Sequence, residues 1–126
     1  MTKPYTRAKS AKVLVIPDEL VINTIYLFRG QKVMFDQDLA KLYRVETSQL
    51  KRQVTRNIDR FPDDFMFEIN KEEFEILRCQ IGTSSWGGTR YMPMAFTEQG
   101  VAMLSSVLHS ETAIRVNIQI IRVFTK

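Results

Sequence analysis

LAKLYRVETSQLKRQVTRN, running from Leu39 to Asn57, sets two segments of helical apolar spacing on either side of a short polar break. Leu39, Leu42 and Tyr43 recur at helical intervals, and Arg44-Val45-Glu46 interrupts them. Thr47 is placed to cap the next helix. That helix is expected to reach Arg60, because Pro62 disfavours helical geometry at Phe61. A short helix, a tight break and a second helix make a helix-turn-helix, predicted here over about residues 36–60.

Projected at about 100° per residue, Leu50, Val54, Ile58 and Phe61 fall within about 80° of one another and predict the buried stripe. Gln49, Arg52, Gln53, Arg56 and Arg60 fall within a second arc of about 100°. This arc holds no acid; Lys51 and Asp59 lie outside it. A solvated face ordinarily mixes signs. Arginine grips phosphate or reads guanine edges, and glutamine can pair with adenine. Arg44 at the break and Ser48 at the helix start stand where a DNA backbone is often held, and the helix N-terminus favours an anion there. Asn57 projects toward the buried side and is expected to bond to backbone near Phe61-Pro62 or the hairpin.

Working outward, IYLFRGQKVMF (residues 25–35) reads as a β-hairpin turning at Arg29-Gly30-Gln31, with Gly30 free to adopt positive φ. Asp36 then stands where a helix N-cap is wanted. DFMFEI (64–69) reads as a strand. Asn70 can cap a helix through about Gln80, with Phe74, Leu77 and Ile81 on one face. GTSSWGGT (82–89) is a loop, and RYMPMAF (90–96) a strand that Pro93 places at a sheet edge. Thr97 caps a helix ending near His109, and Ser110 caps the last helix. In that helix Ile114, Ile118, Ile121 and Phe124 form one apolar stripe, and Val116, Ile120 and Val123 another. Apolar residues on both sides predict burial on two faces, by a homodimer through residues 110–126 or by a further C-terminal domain. The fold class is α+β: a small β-sheet with an N-terminal hairpin, packed on several helices.

A chain of 126 residues, 44% hydrophobic and 25% charged, fits one globular domain. Residues 1–20 read as a flexible basic arm, with Lys3, Arg7, Lys9 and Lys12, ahead of a domain over 21–126. A net charge of +4 and a pI near 9.4 permit a polyanionic partner without demanding one. Cys79 is the single cysteine, so neither an internal disulfide nor a cysteine-based zinc site can form. No stretch has the length of a membrane span or a secretory signal, and the expected setting is the cytoplasm of a bacterial or phage-infected cell, at the nucleoid.

Other residues carry groups with possible chemistry. The 82–89 loop could act as a wing, with Arg90 or its hydroxyls on phosphate and Trp86 either in a groove or folded onto the core. His109 lies at a helix end, where a structural part suffices. Asp36 with Asp38, and Asp63 with Asp64, could be imagined as nuclease ligands, but each pair sits at an ordinary helix start or turn. No catalytic residue, metal or cofactor is expected.

IYLFRGQKVMFDQDLAKLYRVETSQLKRQVTRNIDRFPDDFMFEINKEEF, followed by TSSWGGTRYMPMAFTEQGVAMLSSVL, resembles the N-terminal domain of the KilA-N superfamily and, more narrowly, the phage ORF-six type N-terminal domain. The resemblance covers roughly residues 22–126; the arm lies outside it. It implies a DNA-binding module of large DNA viruses, phages and phage-derived bacterial genes, often followed by a separate C-terminal domain. The resulting expectation is a non-catalytic binder of double-stranded DNA, a transcriptional regulator. It would use Arg44, Ser48, Gln49, Lys51, Arg52, Gln53, Arg56, Arg60 and Arg90. The competing expectation is an antirepressor-type module whose basic stripe meets an acidic protein.

Overall fold

The computed structural model describes residues 16–81 and 92–126. The greater part of the expected arm, the 82–89 loop with Trp86, and Arg90 lie outside the described residues. The described elements are α1 (Asp18–Ile22), β1 (Tyr26–Phe28), β2 (Gln31–Phe35), α2 (Asp36–Tyr43), α3 (Thr47–Arg56), β3 (Met66–Glu68), α4 (Lys71–Ile81), β4 (Met94–Phe96), α5 (Glu98–Leu104) and α6 (Glu111–Phe124). The fold is α+β, with an antiparallel sheet in the order β1-β2-β4-β3.

The hairpin forms as its sequence dictates. Arg29 (φ 53°) and Gly30 (φ 76°) make a two-residue turn, the arrangement whose twist matches that of the flanking strands. Positive φ is unfavourable for arginine, and its side chain is held in compensation. Nε and Nη2 donate to the Glu73 carboxylate at 2.9 and 3.0 Å, and the guanidinium lies 4.1 Å above the Phe67 ring.

Strand alternation separates two cores. Phe35 and Phe67 flank Ala95 in one cross-strand row, and Met34 and Met66 flank Phe96 in the next. The first row faces a cluster with Phe28, Val33, Ile69, Phe74 and Leu77, roofed by α4. The second row faces a larger cluster shared with α1, α2, α3, α5 and α6. The helix over the small face starts with a reciprocal cap: Glu73 N donates to Asn70 Oδ1 and Asn70 N to Glu73 Oε1, both at 2.8 Å. Ser110 caps α6 by accepting from Ala113 N at 3.0 Å. Thr97 caps α5, accepting from Gly100 N and donating to Asp64 O at 2.7 Å. This lock brings α5 so near the 64–65 turn that a Cβ at Gly100 would sit 1.9 Å from Phe65 O.

Several expectations are corrected. Strand β4 is central rather than at an edge; Pro93 precedes the ladder, where its missing N–H is not needed and its carbonyl accepts from Ile69 N at 3.2 Å. The strand over 64–69 narrows to Met66–Glu68, because Phe65 and Met66 fold back to Pro62 O. Neither Asp36 nor Thr47 is an N-cap; Phe35 and Glu46 hold those positions without side-chain caps. The helix after the break stops at Arg56 and continues as a 3-10 turn over Ile58–Arg60. That change of phase takes Ile58 out of the buried stripe, leaving it 49% exposed. Asn57, at the helix end, turns back on its own helix and donates to Gln53 O at 2.8 Å. The helix from Thr97 ends at Leu104, short of His109.

Residues 16–20 belong to the fold, since Ile16 is buried and Gln119 of α6 donates to Asp18 Oδ1 at 2.9 Å. Both stripes of α6 are largely absorbed by the domain itself: Val116, Ile120, Val123 and Phe124 are buried, Ile114 and Ile121 half-buried, and Ile118 exposed. Cys79 is an exposed thiol. No helix among the described residues is long and apolar enough to cross a membrane.

Candidate functional site

Helices α2 and α3 pack together through Leu39, Tyr43, Leu50 and Val54, all buried in the larger core. The residues that join them are Arg44, Val45 and Glu46. Arg44 adopts φ 62°, ψ 45°, the left-handed conformation, and the chain reverses there. Val45 N donates back to Ala40 O at 3.0 Å and Arg44 N to Lys41 O at 3.2 Å, the paired bonds of a Schellman ending.

Two buried polar ties fix this pair from behind. Tyr43 Oη, at the last residue of α2, donates to Asn117 Oδ1 on α6. Asn117 in turn donates through Nδ2 to Val101 O and Ser105 Oγ of the α5 segment, both at 2.9 Å. Burial pushes the Tyr43 hydroxyl well above its ordinary range, so it stays a neutral donor. At the other end, Asp36 is buried and accepts from Gln37 N at 2.7 Å and Met94 N at 3.1 Å. Lys51 Nζ of α3 lies 3.3 Å from Asp36 Oδ2 and donates to Met92 O. Burial raises the Asp36 carboxyl, and Lys51 and the backbone donors pull against that. Nearby Asp38 rises to about 6, chiefly by burial, and its Oδ2 is buried without a hydrogen-bond partner among the described residues. The Asp36 carboxylate is thus held by structural partners, and the described residues contain no group of three or more side chains suited to a metal ion.

Outward, α3 presents the basic stripe. Gln49, Arg52 and Arg56 are exposed, as are Arg60 on the 3-10 turn, Ser48, and Arg44 at the reversal. Among the described residues no acidic side chain pairs with Arg44, Arg52, Arg56 or Arg60, whereas Arg29, Arg78 and Arg115 each hold a glutamate. The first turn of α3 carries no acid either.

Two expected members are less free. Lys51 is half-buried in its tie to Asp36. Gln53 is half-buried, with Oε1 3.1 Å from His109 Nε2. His109, which the sequence placed in a merely structural part, therefore stands beside the stripe. A cavity of about 150 Å³ opens there between α3 and the start of α6, with Leu50, Val107 and Ala113 among its walls. No local pattern could reveal this neighbour, because 56 residues of chain separate it from Gln53. The tie of Tyr43 to Asn117 had one legible sign, an amide within an otherwise apolar helical face.

The ORF6N domain family model matches residues 23–107, two-thirds of the chain, and the protein belongs to that family. The match spans the hairpin, α2, α3 and the sheet, so the stripe lies inside it. Comparison with curated proteins and with solved structures yields no match.

Proposed function

We propose that this phage-related domain is a non-catalytic binder of duplex DNA, a regulator in which α2 and α3 act as a helix-turn-helix and α3 enters the major groove. The carrying observation is the exposed face of Arg52, Arg56 and Arg60, with Arg44 at its edge, unpaired with any acid among the described residues. Guanidinium groups kept clear of carboxylates on one face suit a polyanion. Arg52, Arg56 and Arg60 contact phosphate or guanine, and Gln49 reaches base edges. Arg44 and Ser48 flank the start of α3, where backbone amides favour a phosphate. Lys51 anchors α3 to the sheet rather than serving DNA directly. The membership of the ORF6N family supports the reading, because the stripe falls within the matched residues.

The test is fluorescence anisotropy of labelled random-sequence duplex across a salt series, with Arg52→Ala/Arg56→Ala alongside. The native protein is expected to bind with an affinity that falls steeply with salt. The variant is expected to bind more weakly, with a log–log slope shallower by about 1 to 2. Absence of binding by the folded native protein at low salt would sink the proposal and favour an acidic protein as the partner of this face.

A further inference from the structure

Among the described residues the sheet ends at two edges, β1 and β3, and the two are finished differently. In β3 the exposed residue is Glu68, a charge that discourages a further strand. In β1 it is Leu27, 69% exposed, and Tyr26-Leu27-Phe28 contains neither a charge nor a proline. Leu20 and Ile22, just upstream, are 51% and 54% exposed, so three of the six exposed large apolar side chains among the described residues fall within residues 20–27. The turn between them is tight, with Asn23 N donating to Glu19 O at 2.9 Å and Ile25 N to Ile22 O at 3.1 Å, and it keeps α1 beside the start of β1.

The hairpin register decides which backbone groups this edge offers. Behind the two-residue turn, Phe28 and Gln31 form a hydrogen-bonded pair, so Leu27 and Lys32 form a non-hydrogen-bonded one. The N–H and C=O of Leu27 therefore point away from β2, toward the open edge, and no turn or loop group among the described residues bonds to them. We infer that β1 is a self-association edge, on which a second copy of this chain lays its own β1 antiparallel with Leu27 opposite Leu27. In that register each Leu27 N–H donates to the other's C=O, which satisfies both outward groups about a two-fold axis. Tyr26 of each copy meets Phe28 of the other, and Arg29 meets Ile25, so no like charges are opposed. A second copy suits the edge better than a polar peptide, because it brings the same uncharged strand and the same bare aliphatic side chains. The inference is independent of DNA binding and uses a surface other than α6.

The experiment is sedimentation equilibrium over a concentration series with the native protein, Leu27→Lys, Ile118→Lys and Ile76→Lys, each first shown folded by circular dichroism. Backbone amide exchange of the native protein is followed at the lowest and highest concentrations. The native protein is expected to pass from monomer to dimer. Leu27→Lys sets two cations against each other on the axis and should weaken the dimer by roughly tenfold or more. Ile118→Lys on α6 and Ile76→Lys on α4, exposed elsewhere, should leave it unchanged. The Leu27 amide, which points outward in the monomer, should exchange slowly only at the concentration where dimer forms. A native protein that stays monomeric throughout would overturn the inference. So would a dimer broken by Ile118→Lys and not by Leu27→Lys, or one in which Leu27 amide exchange does not slow; this last reading stands even if Leu27→Lys fails to fold.

Discussion

Phe28, Val33, Phe35, Phe67, Phe74 and Leu77 fill one side of the sheet with apolar and aromatic side chains alone, while the helical layer on the other side buries Asp36, Thr97 and Asn117 among its hydrophobic residues. Burying an apolar side chain rewards area and is indifferent to direction. Burying an amide or a carboxylate is costly unless a partner stands at one place. The first side therefore supplies stability. The second fixes where α2, α3, α5 and α6 lie with respect to one another, and it is the side that carries the arginine face.

The sharpest way to break this comparison is Leu77→Ala on the apolar side. Leu77 is fully buried, and its truncation should cost about 3 kcal/mol in urea unfolding. Yet the protein that remains folded should keep the native salt slope for DNA; a changed slope would mean that both sides position α3.

Asp38 comes next. Its folded value of about 6 stands above the ordinary 3.8 of a free aspartate, so between these limits the folded state holds more protons than the unfolded one. Stability should fall as pH rises from about 4 to about 6, by on the order of 2 kcal/mol, and Asp38→Asn should remove that component. The check is the difference between the two proteins' unfolding free energies across that range; parallel curves would refute it.

Tyr43→Phe leaves Asn117 Oδ1 buried without its donor and should cost about 1.5 kcal/mol. Because the lost bond lies next to the reversal, amide exchange at Arg44 and Val45 should quicken more than at the strands, as hydrogen exchange would record. Uniform quickening would show that the amide network is no more directional than the apolar side. Smallest is Glu73→Gln, at the rim of the apolar side. Its partly exposed ion pair with Arg29 should contribute only about 0.5 kcal/mol, and the loss should vanish in high salt, as paired melts would show.

The hairpin, the reciprocal cap at Asn70 and Glu73, and the caps at Thr97 and Ser110 were legible because each depends on neighbours within a few residues. The exposed arginines of α3 were legible for the same reason, since one helix turn relates them. Ile58 was misplaced because a helical projection assumes an unbroken phase, and the 3-10 turn after Arg56 breaks it. Pro93 misled because composition does not say whether a proline stands in a ladder or just before it. The second stripe of α6 was expected to meet another chain or a further C-terminal domain, and the domain's own helices cover most of it. The meeting of Gln53 with His109 and the burial of Asp36 against Lys51 and Met94 arise only when distant segments converge.

Arg44 sits in a backbone conformation that glycine adopts without strain and arginine does not, at a cost of about 1 kcal/mol. A screen that ranks variants by melting temperature would therefore favour Arg44→Gly, and in doing so would strip a cation from the edge of the arginine face. At this one position a search for robustness and the proposed DNA binding point to different amino acids, so a scaffold made from this domain should be tested for that proposed binding before it is ranked on heat.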